Sequence, residues 1–211
     1  MMFIISIAQG SISYTLSFGE LQHLVPRVVA PFLAGLLAVR FGLTAAMVAL
    51  WALKYKKTLF RLIIATNTLF TLTLLSHADG ILVLLFGSAF EDVRALLSDV
   101  MLMIVTDILI FSVWYWIIDP PGVEDTPHND QPWDFLFPQR AADLPHYNGW
   151  HPRYADYLFL AFTTCFAFSP CDTLPLTRRA KILMLLQAAI SAITLIGIVG
   201  SVINILAGGN K

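Results

Sequence analysis

Charge is scarce in this chain: Asp, Glu, Lys and Arg make up only 13% of its 211 residues, against 57% hydrophobic residues, and the mean hydropathy is +0.73. A soluble globule of this size cannot hide so much apolar surface, so the composition points to an integral membrane protein with the lipid bilayer as its first partner. Cysteine is scarcer still. Cys165 and Cys171 are the whole supply, which excludes a disulfide framework. There is no Gly-rich phosphate loop, no metal-cluster spacing and no basic patch of the nucleic-acid type, so no cofactor, no metal and no nucleic acid is expected. His128, His146 and His151 share one loop and could meet at a metal, but their spacing is not diagnostic and exposed loop histidines usually bind none. No acid–base pair of titratable groups is placed together, and the chain is not expected to be an enzyme. The net charge of −1 carries little weight, because in a membrane protein the position of a charge matters more than the sum.

Long apolar runs supply the organisation. Crossing a hydrocarbon core takes roughly 20 apolar residues. On that measure the hydropathy predicts an all-α, polytopic membrane protein with about five transmembrane helices, near 2–18, 28–53, 59–76, 95–118 and 177–206. The first of these lacks the basic flank and cleavage site of a signal peptide and is read as a span. The segment from Gly80 to Phe90 is too short to cross and is read as an extension of the third helix or an interfacial piece. Three regions follow: a four-span bundle over 1–118, a Pro-rich polar loop over 119–153, and a module over 154–211. The loop holds seven of the eleven prolines, a density that forbids long helices and central strands. Its apolar insert, Trp133 to Pro138, is read as a connector that packs aromatics at the interface or docks on the bundle. The aromatic trio Trp114-Tyr115-Trp116 suits the headgroup level.

The basic cluster Lys54, Lys56, Lys57 and Arg61 places the second loop in the cytoplasm by the positive-inside rule. Counting spans from there puts Arg140, Arg153, Arg178, Arg179 and Lys181 on the same side, with the turn at 165–175. Within the spans three costly residues stand at matching depths: Arg40, Asn67 and Asp107. A charge at the bilayer centre costs at least about 2.5 kcal/mol, so such residues face the bundle interior and find partners. An Arg40–Asp107 ion pair completed by Asn67 is one expectation, serving either to hold helices together or to relay protons or ions.

The stretch from Tyr154 to Leu206 reads as a short helix, an irregular turn and a long apolar helix. Its order, with Phe162, Thr164, Asp172 and Pro175 in register and a basic Arg178-Arg179-Ala180-Lys181 before the last helix, resembles the pore module of the potassium-channel superfamily. In that family a short pore helix leads into Thr-Val-Gly-Tyr-Gly-Asp and then an inner helix. The resemblance covers about fifty residues and implies a re-entrant pore-like helix, a homo-oligomer (a tetramer in a channel) and passage of monovalent cations. With its Asp-Phe-Leu-Phe-Pro loop, the chain also resembles a group of bacterial integral membrane proteins with four upstream spans, which implies a multi-pass protein of the bacterial inner membrane.

The filter itself departs from the family. Its five positions are Ala167, Phe168, Ser169, Pro170 and Cys171, with no glycine between Phe162 and Asp172. A potassium filter aligns backbone carbonyls, which requires φ > 0 at positions that glycine supplies, and Pro170 also removes an N–H. An ordinary potassium-selective filter is therefore not expected. Ser169-Pro170-Cys171-Asp172 is a good turn sequence. Asp172, Thr173 and Thr177 are placed to cap the last helix, with Asp172 alternatively lining an ion path. Thr163 and Thr164 can bond back onto the short helix. Cys165 and Cys171 are read as small apolar fillers. In the last helix, Ala188, Ala192, Gly197, Gly200 and Ser201 form a small-residue surface for packing or oligomerisation, and Gly197 is the candidate hinge. Two functions remain open at this point: an oligomeric ion channel with a filter not selective for potassium, and a non-conducting structural or sensory membrane protein that keeps the loop as a re-entrant element.

Overall fold

A computed structural model describes residues 55–86, 93–119, 133–141, 147 and 149–208, together with residues 39, 42, 43, 45, 46, 49, 50 and 53. The described residues are mostly helical, with almost no strand. In chain order the elements are α1 (Lys56–Phe86), α2 (Val93–Ile118), β1 (Phe135–Leu136), α3 (Pro138–Ala141), α4 (Tyr154–Ala167), β2 (Leu174–Pro175) and α5 (Arg178–Gly208). Among the described residues three helices contain stretches long and apolar enough to cross a membrane: Lys57–Gly80, Leu97–Ile118 and Arg178–Gly200, of 24, 22 and 23 residues. At 1.5 Å per residue these are about 33–36 Å long, enough for a hydrocarbon core of about 30 Å. The expected spans at 2–18 and 28–53 fall almost wholly outside the described residues; of the second, the described residues from Val39 to Leu50 are helical. Gly80 to Phe86 continues α1, so that part of the short apolar segment extends the helix; 87–90 lie outside the described residues.

The chain forms two compact units whose boundaries fall inside α2 and α5: Met1–Thr106 with Ile193–Lys211, and Asp107–Ala192. In the first, α1 buries a stripe at helical spacing, Thr66, Asn67, Phe70, Thr71, Leu74, His77 and Ala78. Three of its threonines are compatible with an apolar helix because their hydroxyls donate back to the preceding turn, Thr68 to Ile64 O at 2.8 Å, Thr71 to Asn67 O at 2.8 Å and Thr73 to Leu69 O at 2.9 Å.

The second unit has an aromatic core that the Pro-rich loop helps to build. Phe111, Tyr115, Phe135, Phe137 and Tyr157 are all buried. Tyr115 and Phe135 meet edge to face at 5.2 Å, and Phe137 meets Tyr157 the same way at 5.6 Å. The Trp133–Pro138 insert is thus a packed strand-and-turn: β1 pairs antiparallel with β2, Phe135 opposite Pro175 and Leu136 opposite Leu174. Pro175 cannot donate to a ladder, and the following residue takes over, Leu176 N–H donating to Asp134 O at 2.9 Å. Pro138 sits at the first position of α3, where its missing N–H is not needed.

Candidate functional site

Helix α4 has 14 residues and so extends only about 21 Å, too short to cross the bilayer. It starts where the Asp156 carboxylate, at the third helical position, accepts the Arg153 backbone N–H at 2.6 Å and satisfies a donor that has no helical partner. It ends at Phe168, whose φ of 54° and ψ of 15° make it the one non-glycine residue with positive φ among the described residues. A left-handed residue is the ordinary way to stop a helix, and using phenylalanine for it costs about 1–2 kcal/mol. Ser169, Cys171 and Asp172 then lie exposed in the turn that leads to β2.

That turn is fastened at its far end by Asp134. The fully buried Asp134 carboxylate accepts from Arg179 Nε at 2.7 Å and Nη2 at 2.5 Å, a bidentate pair, and also from the Thr177 hydroxyl. Thr177 Oγ1 in turn accepts the Ala180 N–H at 3.3 Å, capping α5. Arg179 Nη2 donates to Ile118 O at 3.2 Å, so the same guanidinium serves an orphan carbonyl at the end of α2. Of the three expected caps, Thr177 is the one bonded to the helix; Thr173 is buried and donates to the exposed Asp172 at 2.9 Å.

Beside it Asp119 receives the Asp134 N–H at 3.1 Å and the Tyr157 O–H at 2.6 Å, with Arg140 Nη1 at 3.6 Å. The Arg140 guanidinium lies 4.5 Å above the Trp133 ring, with Trp150 and Phe137 farther off at 5.9 and 6.0 Å, a cation among ring faces. Burial dominates both charges. It raises the Asp119 carboxyl above its ordinary range despite the hydrogen bonds from Tyr157 and Asp134, and it lowers Arg140 despite Asp119. A further clasp joins α2 to α4, Ser112 Oγ lying 2.5 Å from Tyr154 Oη.

A third polar group lies along α2, α4 and α5. Asp107 is 1% exposed, and its Oδ2 accepts from Gln187 Nε2 at 3.2 Å and from Ser191 Oγ at 3.0 Å. Gln187 is fully used: Nε2 also donates to Ala161 O at 2.9 Å, and Oε1 accepts the Tyr115 O–H at 2.5 Å. Asp107 Oδ1 has no hydrogen-bond partner among the described residues. Every described partner in this network is neutral.

The residues singled out from the sequence are therefore divided. Arg40 lies outside the described residues; Asn67 is buried on α1, in the other compact unit; and Asp107 accepts its hydrogen bonds from Gln187 and Ser191 of α5. Thr163 and Thr164 donate back to Leu160 O at 3.0 and 2.8 Å. Cys165 is buried and Cys171 exposed, both free thiols; Ala167, Phe168 and Ser169 are exposed and Pro170 half-buried. On α5 Gly197 is buried and Gly200 half-buried. Tyr115 is not part of an exposed belt: it points inward to Gln187, while Trp114 and Trp116 are half-buried. His128 and His146 lie outside the described residues, and His151 is exposed.

Reasoning from sequence missed Asp119, Asp134, Arg140, Tyr157, Gln187 and Ser191. Only the last two left a signal, two polar side chains four apart in an apolar run, which share a helix face. Compared with models of protein families, with curated proteins and with solved structures, the chain finds no match.

Proposed function

We propose that residues 154–208 form a re-entrant pore module in a multi-pass, homo-oligomeric protein of the bacterial inner membrane, with about five spans, and that the turn after α4 lines a path for monovalent cations without potassium selectivity. One observation carries the reading: a helix too short to cross ends at an exposed turn bearing Ser169, Cys171 and Asp172, and the chain continues directly into a helix long enough to cross. A re-entrant segment needs this arrangement, because backbone at membrane depth must return to the surface it came from or line a cavity. The order also matches the potassium-channel pore module, and Asp172 supplies the negative charge a cation path favours. The left-handed Phe168 and Pro170 support passage past side chains rather than through a ladder of carbonyls.

A single observation favours the alternative, a non-conducting structural element. The turn's far end is clamped by the β1–β2 pair and by Asp134 on Thr177 and Arg179, as a structural loop would be. The native cysteines separate the two. Purified protein in lipid discs is weighed to count subunits, then reconstituted in liposomes and tested for sodium and potassium flux with a cationic thiosulfonate, which reaches exposed Cys171 but not buried Cys165. A tetramer whose flux is blocked by the reagent, and no longer blocked in Cys171→Ala, supports the pore. A monomer, or a flux indifferent to the reagent, moves the module to the structural reading, since a passage of this type needs about four loops around an axis.

A further inference from the structure

We infer that Asp107 is a reversible proton-binding site in the membrane-embedded part of the protein, its Oδ1 taking and releasing one proton while Gln187 and Ser191 hold Oδ2. The inference stands on the geometry of α2, α4 and α5 and is independent of whether the turn conducts.

The polarity of what surrounds the carboxyl suits a proton and not a metal ion. A metal cation needs several oxygen lone pairs converging on one point. Here the neighbouring lone pairs are occupied: Gln187 Oε1 accepts from Tyr115, and Ala161 O accepts from Gln187. Gln187 turns an N–H and Ser191 an O–H toward Asp107, with the Cys165 thiol as a further donor, so its neighbours present hydrogens rather than lone pairs to it. Among the described residues Oδ1 is the Asp107 oxygen without a hydrogen-bond partner, and one oxygen suffices for a proton. The donors also define which oxygen it is. A carboxylic acid keeps one carbonyl oxygen as an acceptor, and with both donors on Oδ2 the hydroxyl is Oδ1.

No described positive charge competes for the site. The titratable groups beside Asp107 are the Cys165 thiol on α4 and the Tyr115 hydroxyl on α2; α5 contributes Gln187 and Ser191 and no charged side chain to it. The contrast with Asp134 and Asp119, each paired with an arginine, is direct. A lone ionised carboxylate at this depth costs at least about 2.5 kcal/mol, whereas the protonated acid is a neutral group with two hydrogen bonds. When the Oδ1–H bond breaks and the proton returns to solvent, the carboxylate pulls harder on the Gln187 amide, which also holds the Ala161 carbonyl midway along α4. Proton binding is thus wired to the helix that precedes the exposed turn.

The test uses the intact protein in lipid discs and dicyclohexylcarbodiimide, an apolar reagent that takes the proton of a carboxylic acid onto its nitrogen and receives the carboxylate oxygen at its central carbon. Adducts are located by peptide mass spectrometry across a pH series. The expected result is an adduct on Asp107 that declines as pH rises through a single titration. Ser191→Ala removes one donor to the ionised form and moves the midpoint up by about one pH unit, with the fold intact because only a hydroxyl is lost. Absence of an Asp107 adduct at every pH, as a permanently ion-paired carboxylate would give, overturns the proposal. So does an adduct whose yield ignores pH, or a midpoint unmoved by Ser191→Ala.

Discussion

The Asp107 network and the Asp134 clamp lie in the same compact unit, and both bury a carboxylate with two or more donors, yet they are built oppositely. Asp134 faces a guanidinium whose own side chain is 60% exposed, so its charge is matched at the edge of the structure. Among the described residues Asp107 meets only neutral amide, hydroxyl and thiol groups, and one of its oxygens has no hydrogen-bond partner. An ion pair at the helix ends fixes where α5 starts and how the loop returns. A carboxyl among neutral partners carries no such fixed charge and is free to change protonation. The difference separates a structural acid from a chemical one, and substitutions at the two sites should not behave alike.

The largest effect is expected at the clamp. Arg179→Ala strands a fully buried carboxylate and also abandons the carbonyl of Ile118, and removing one partner of a buried pair typically costs about 3–5 kcal/mol. We expect about 3 kcal/mol, read as a lowered unfolding midpoint in detergent, since Thr177 still donates to Asp134. The double change Arg179→Ala with Asp134→Ala should recover part of that loss. Additive losses would mean that the two side chains do not act as a pair.

Next comes the paired comparison Asp134→Asn against Asp107→Asn. The first replaces an acceptor of a bidentate guanidinium by an amide whose NH₂ faces it, a loss of about 2 kcal/mol. The second should cost less than about 1 kcal/mol, because asparagine keeps the carbonyl oxygen for Gln187 and Ser191 and places its NH₂ where the acid has its hydroxyl. Equal losses, measured as unfolding midpoints at pH 6, would erase the distinction between the two sites. Tyr115→Phe probes the same network from its far end. It leaves the buried Gln187 Oε1 without a donor and should cost about 1–2 kcal/mol with no change in helix content by circular dichroism. A neutral outcome would show that the amide has another donor.

Much of this architecture is legible in the sequence, for a physical reason: α1, α2 and α5 are long apolar runs, and nothing but a helix satisfies a single buried run in lipid. The short α4 and its turn are likewise visible, since Thr163, Thr164 and the Ser169–Asp172 turn work through neighbours close in sequence. The clamp is not. Asp134 and Arg179 are 45 residues apart and Asp119 and Tyr157 are 38 apart, and no local periodicity relates positions on opposite sides of a Pro-rich loop. The loop reads as a polar connector because its prolines dominate; Phe135 and Phe137 make it part of the core. Tyr115 is misread because Trp-Tyr-Trp suits the headgroup level, whereas a helix turns each of three consecutive side chains by about 100°, so one of them faces inward.

The smallest effect expected is at Phe168, which ends α4 and opens the exposed turn. Its backbone is left-handed, a conformation glycine adopts without steric cost, while its ring is 47% exposed and so contributes only part of its burial energy. Phe168→Gly removes about 1–2 kcal/mol of backbone strain and loses about 0.5–1 kcal/mol to the greater freedom of the unfolded chain. Stability should therefore rise by less than about 1 kcal/mol. Phe168→Ala keeps the strain and loses the ring, and should fall slightly. If Phe168→Gly instead destabilises the protein in lipid discs, and loses copies from the complex when weighed, then the ring's exposure in the single chain is covered by a second copy. The turn would then belong with the clamp as structure rather than with Asp107 as chemistry.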